Sequence, residues 1–141
     1  MKLYITAKFK GIENKSDIEE LCRIVHESGV QDFCFIRDIE NYQRIFTDIK
    51  ELWSRTKTEL KKCDALLIDV TDAPSGGRVI EAGMAYALNM PIIVIVKYGA
   101  KYNPHYDGIS SQIITYTNYE DITAPLREYL ENQVKSSKYV H

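Results

Sequence analysis

Apolar and polar positions along the chain follow two periods in turn. Short apolar runs with polar borders fall at residues 2–7, 32–36, 65–70, 92–96 and 112–116, and each has the length of a strand buried in a parallel sheet. Between them the apolar positions recur at helical spacing, which predicts helices over 17–28, 46–62, 78–88 and 124–134. In the first of these, Ile18, Leu21, Cys22 and Val25 form one stripe, Ser16 and Glu19 have the spacing of a capping box, and Gly29 ends the helix. The second turns Phe46, Ile49, Leu52, Trp53 and Leu60 inward. The third closes at Asn89, with Pro91 ahead of the next strand, and Pro125 suits the first turn of the last. Strands alternating with helices predict an α/β fold of three layers. The sheet is expected to be open, parallel and five-stranded, in the order 2-1-3-4-5 of the Rossmann and flavodoxin-like folds.

Composition narrows the function classes. The 141 residues suit one domain, 1–141, and no internal repeat or low-complexity segment interrupts them. A net charge of −2 with both signs interspersed leaves no basic footprint for nucleic acid. Cys22, Cys34 and Cys63 are widely spaced and lack a metal-ligand pattern, so they read as reduced thiols in a cytoplasmic protein, and neither a metal nor another cofactor is expected. No apolar run approaches the roughly 18 residues of a membrane span, and the N-terminus lacks a signal-peptide layout. No membrane partner is expected.

The most informative stretch is 63–97, which reads strand, glycine-rich turn, helix, strand. Ligands of open α/β sheets bind at the carboxyl ends of strands, beside the N-termini of the helices that follow. The turn containing Asp72, Pro74, Ser75, Gly76 and Gly77 is therefore the expected ligand site. Glu81 stands just inside the next helix among Val79, Ile80, Ala82, Met84 and Ala85, a helix apolar on nearly every face. A carboxylate enclosed there is costly to bury and calls for a role. Gly83, costing roughly 1 kcal/mol against Ala in a helix, suggests that a ligand or another backbone comes close.

These residues resemble the nucleoside 2-deoxyribosyltransferase family, including its deoxynucleoside 5′-monophosphate N-glycosidase branch. The resemblance rests on the strand entered through Asp64, on Pro74-Ser75-Gly76-Gly77, and on Ile80-Glu81-Ala82-Gly83-Met84-Ala85-Tyr86-Ala87, and it extends from about Leu3 to Leu130. It implies that Glu81 is the nucleophile, attacking the anomeric carbon and holding the deoxyribosyl group as an ester, and that Tyr4 is an active-site tyrosine. It implies that Lys10, beside Gly11, and Ser75, with the backbone of Gly76 and Gly77, bind a 5′-phosphate. Asn103 matches an asparagine that reaches the sugar from a neighbouring subunit, which implies a homodimer or higher oligomer with shared sites. The chain departs from the pattern at Thr56, where the family usually carries an aspartate acting on the base or beside the nucleophile, and at Ala7-Lys8, where a glycine and a small residue are usual. Threonine is no carboxylic acid. Either Glu59, Asp69 or Asp72 substitutes, or base activation is weak, or the chain binds a nucleotide without turning it over. An enzyme acting on deoxynucleosides or deoxynucleotides and a nucleotide-sensing module on the same fold are thus the two readings.

Overall fold

Alternation along each strand sorts the side chains onto two faces, and the two faces are covered by different helices. The computed structural model describes residues 1–72 and 75–139, with side chains as far as 135, so Pro74 of the expected turn lies outside the described residues. Strands β1 (Lys2–Thr6), β2 (Gln31–Cys34), β3 (Ala65–Asp69), β4 (Ile92–Lys97) and β5 (Gln112–Tyr116) form one sheet in the order β2-β1-β3-β4-β5. Every pairing is parallel. The fold is the flavodoxin-like α/β arrangement that the pattern predicts.

On one face Leu3, Ile5, Leu67, Ile93 and Ile95 pack with Ile18, Leu21 and Val25 of α1 (Lys15–Glu27) and Leu126 of α5 (Thr123–Tyr139). On the other, Tyr4, Leu66, Ile68, Ile92 and Val94 pack with Leu60 of the helix Ile49–Lys61 and with Ala82 and Ala85 of the helix Gly76–Ala87. A fully buried Leu or Ile contributes roughly 1.5–3 kcal/mol, so a polar side chain in the middle of this layer gives up stability for some other purpose. Thr6, at the end of β1 on the same face as Tyr4, is a buried polar side chain at the edge of this layer.

Several boundaries differ from the expected ones, each for a local reason. The second strand stops at Cys34 because Phe35–Asp38 forms a short helix, α2, in which the Asp38 carboxylate accepts the Cys34 N–H at 2.9 Å. Arg37 fastens this corner through Asp32 at 2.7 Å and Asp38 at 2.8 Å. The next helix, α3 (Ile49–Lys61), starts later than 46 because Asp48 caps it, accepting from Lys50 N at 2.9 Å. Phe46 therefore stands outside the helix, stacked on Phe35 with ring centroids 6.0 Å apart, and Ile49 is exposed. Ser16 is inside α1 instead of capping it. The cap position is Asn14, whose side chain instead ties the preceding turn, accepting from Lys10 N at 2.7 Å and donating to Lys8 O at 2.6 Å. The loop after β4 contains a 3-10 turn, Pro104–Gly108, capped by the Asn103 side chain.

Candidate active site

The period of two along β1 places Tyr4 and Thr6 side by side on the face covered by α4 (Gly76–Ala87). Glu81, one and a half turns into α4, descends onto that face and is only 8 % exposed. The Tyr4 hydroxyl donates to Glu81 Oε2 at 2.5 Å, and the Thr6 hydroxyl donates to Oε1 at 2.9 Å. Both carboxylate oxygens are thus fixed from β1. Burial pushes the Glu81 carboxyl up to about 7, against the opposing pull of the Tyr4 and Thr6 hydrogen bonds and of the Arg78 charge. Burial and then the neighbouring Glu81 charge push the Tyr4 phenol upward, so it remains a proton donor throughout the physiological range.

Arg78 lies three residues before Glu81, on the same side of α4, and is itself buried. Its Nε donates to Ser75 Oγ at 2.9 Å and its Nη1 to the Asp69 carbonyl at 2.6 Å, which ties the start of α4 to the end of β3. A cavity of about 170 Å³ opens beside Glu81. Its wall includes Thr6, Cys34, Phe35, Glu40, Trp53, Thr56, Gly77 and Glu81, contributed by β1, by the end of β2 and the corner beyond it, by α3 and by α4. It lies where the strand order reverses around β1 and β3, the expected crevice of an open α/β sheet.

Of the residues singled out from the sequence, Thr56, Gly77 and Glu81 line this cavity, and Tyr4, fully buried behind it, is joined to it through its hydrogen bond to Glu81. The Thr56 hydroxyl donates to the Leu52 carbonyl at 2.8 Å within its own helix. Lys10 and Asp72 meet each other in an ion pair at 3.1 Å, each about half exposed, with Gly11 beside them at φ +75°, a left-handed backbone that favours glycine. Asp72 and Asn103 line a second cavity of about 230 Å³ with Arg78, Lys101, Tyr102 and Tyr106. Asp69 is not in the wall of the Glu81 cavity. Its carboxylate accepts from Tyr116 Oη at 2.6 Å and from Thr71 N at 2.9 Å. Glu59 is held by Arg55 at 2.9 Å and Lys62 at 3.2 Å; burial raises its carboxyl, and the two cations outweigh that to hold it below the ordinary value. The Ser75 hydroxyl is engaged by Arg78 and does not cap α4.

Two features of α4 bear on these expectations, and Glu81 is buried as its apolar neighbours implied. The helix buries one face only, through Arg78, Glu81, Ala82 and Ala85, and leaves Val79, Ile80 and Tyr86 exposed, because a single sheet face lies beneath it. Gly83 is exposed as well, and a Cβ built there meets nothing within 4 Å, so no part of the described chain makes the close approach that its lack of a side chain suggested. Three residues of the site escaped the sequence reading. Thr6 was available through its spacing of two from Tyr4, and Arg78 through its spacing of three from Glu81. Glu40 had no such signal, since it belongs to an irregular connection whose path no periodicity reports.

No sequence-family model matches the chain, and no curated protein matches it by sequence. Solved structures do. The CMP N-glycosidase BcmB of Clostridium botulinum superposes with a TM-score of 0.68 at 21% identity, over 92% of this chain and 99% of that one. A 2-deoxyribosyltransferase of Bacillus psychrosaccharolyticus gives 0.71 at 16% identity, over 88% and 91%. BlsM gives 0.68 at 16% identity, over 92% and 91%. At these identities the likeness speaks for backbone architecture, and the architecture agrees with the family that the motifs around Glu81 resemble. The chain has the fold of the N-glycosidase and 2-deoxyribosyltransferase structures.

Proposed function

We propose that this chain breaks the N-glycosidic bond of a 2′-deoxynucleoside or its 5′-monophosphate, passing the sugar to water or to a second base through an ester on Glu81. The observation that carries this reading is the buried Glu81 carboxyl, held at both oxygens by Tyr4 and Thr6 on the wall of a cavity of nucleobase size. A carboxylate in that setting is poorly solvated yet ionises at about 7, which suits a nucleophile working near neutral pH. Its attack on C1′ is helped by the hydroxyls of Tyr4 and Thr6, which orient the two oxygens. The same donors stabilise the carboxylate when the ester is released. Phe35 and Trp53 supply the apolar wall that a planar base requires. That BcmB is a CMP N-glycosidase and the B. psychrosaccharolyticus protein a 2-deoxyribosyltransferase supports the same chemistry.

Two finer assignments belong to this reading. Lys10, Gly11, Ser75, Gly76 and Gly77 receive the 5′-phosphate, with the N-terminus of α4 favouring negative charge. A second copy of the chain covers the exposed apolar side of α4 and lends Asn103 to its neighbour's site. Thr56, standing in the cavity wall where a carboxylate is usual, favours a different reading, a cytoplasmic nucleotide-binding module without turnover.

Base release decides between them. The purified chain incubated with deoxynucleosides, ribonucleosides and their 5′-monophosphates is expected to liberate free base from at least one deoxy substrate, and Glu81→Ala is expected to liberate none. Binding without release across the whole panel would establish the sensing module instead.

A further inference from the structure

Departure of a nucleobase from C1′ needs a proton as well as a nucleophile, and the residues suggested for that proton are occupied elsewhere. Glu59 is paired with Arg55 and Lys62, Asp69 accepts from Tyr116 and Thr71, and Asp72 is paired with Lys10. Thr56 has no acidic proton to give at neutral pH. The cavity beside Glu81 nevertheless contains a second carboxyl, that of Glu40. Among the described residues no hydrogen bond or ion pair occupies it.

Its position is built with some care. The Glu40 N–H donates to Phe35 O at 3.1 Å, and the Tyr42 N–H donates to Ile36 O at 2.7 Å. Between them the chain turns through Asn41 at φ 48° and Tyr42 at φ 59°, two successive left-handed residues that are not glycine. Such strain is tolerated where the surroundings fix it. The turn leaves Glu40 between the Glu81 cavity and an adjoining one lined by Tyr42, Arg44, Phe46 and Thr47, with Ile36 and Leu52 common to both. Burial raises the Glu40 carboxyl above its ordinary value, with Arg44 opposing, and the Glu40 charge in turn raises Glu81.

Resting on the function proposed above, we infer that Glu40 is the catalytic acid, delivering its proton to the leaving nucleobase across the cavity from Glu81. As an oxygen of Glu81 bonds to C1′, the C1′–N bond breaks and its electron pair passes to the base. The carboxyl proton of Glu40 moves to a ring nitrogen or carbonyl oxygen of that base, leaving Glu40 a carboxylate. In the second half water attacks C1′, Glu40 takes the proton that water loses, and Glu81 departs as a carboxylate. When a second base is the acceptor, its ring N–H supplies that proton instead. The carboxylate that α3 lacks at Thr56 is in this way replaced from the corner after β2, in the wall of the same cavity.

Leaving-group dependence tests this. The substrates are the natural deoxy substrate that the wild type cleaves fastest and the matching 4-nitrophenyl 2-deoxyriboside, whose phenolate departs without a proton. Glu40→Gln is expected to slow release of the natural base by roughly a hundredfold or more, the usual scale of acid catalysis, and to slow nitrophenolate release far less. Cleavage of the nitrophenyl substrate also shows that the variant is folded. Equal losses on both substrates, no loss on the natural one, or a wild type unable to use the activated one would overturn the assignment. A wild type that releases nothing from either would instead overturn the function proposed above, and the assignment with it.

Discussion

Glu81 is a carboxyl whose surroundings resist its charge, and this has a consequence for stability. Its folded-state value of about 7 lies above the 4.5 expected of an unfolded glutamate. The folded state therefore holds the proton more tightly, and the stability this supplies is complete below about 4.5 and is lost as the pH rises through about 7. Glu81→Gln, neutral at every pH, is expected to melt higher than the wild type at pH 8, by up to about 3 kcal/mol in chemical unfolding, and to match it near pH 4. An equal difference at both pH values would show that the carboxylate is not destabilised by burial. A site that gives up stability for reactivity in this manner is common in enzymes. At this scale the sequence was legible where a residue's neighbours are set by period. Glu81 stood out against its apolar helix, whereas Tyr4 was pointed to by the family resemblance alone. Thr6 and Arg78 were within reach of the same arithmetic. Glu40 was not, because its place depends on two left-handed residues and a carbonyl of Phe35.

The start of α4 gathers Ser75, Gly76, Gly77 and Arg78 beside the turn that ends β1. Lys10, in that turn, already has an anion in Asp72, with which the phosphate of the proposed substrate would compete. Both side chains are well exposed, so the competition is weak. Asp72→Asn is expected to tighten binding of a deoxynucleoside 5′-monophosphate by roughly two- to fivefold at low salt, leaving the free nucleoside unchanged. Lys10→Ala is expected to remove most of the preference for the monophosphate. Calorimetric titration of the four combinations measures both effects, and equal affinities for both ligands in the wild type would remove Lys10 from the site. Elements were legible from the sequence to within a few residues, and their ends were not. Asp48 sets the start of α3 by accepting from Lys50 N, while Asn14 ties the turn before α1 by accepting from Lys10 N and donating to Lys8 O, and such choices leave no trace in hydrophobic spacing.

For the whole molecule, five short apolar runs and the helices between them were enough to predict the sheet and its order, because a parallel strand pair needs a covering crossover. What period could not report is how much of a helix the chain itself covers. The outer side of α4 presents Val79, Ile80 and Tyr86 around the bare backbone of Gly83, a surface suited to close contact with a second copy. In this chain Asn103 caps its own 3-10 turn and lines the cavity with Asp72 and Arg78, apart from Glu81. A shared site makes a definite prediction. Glu81→Ala and Asn103→Ala, each inactive alone, are expected to regain roughly a quarter of wild-type activity when unfolded and refolded together in equal amounts, since half the dimers are mixed and each has one intact site of two. No recovery from a refolded dimer would place both residues in the service of one chain.

The covalent step proposed for Glu81 is tested most directly by trapping the ester. A 2-fluoro-2-deoxyribosyl substrate with a good leaving group slows hydrolysis of the ester more than its formation. After incubation and digestion, mass spectrometry is expected to find the added sugar on the peptide containing Glu81, with loss of activity in step with labelling and no label in Glu81→Gln. An enzyme that turns over its substrate while that peptide stays unmodified, or a label on another residue, would contradict Glu81 as the nucleophile.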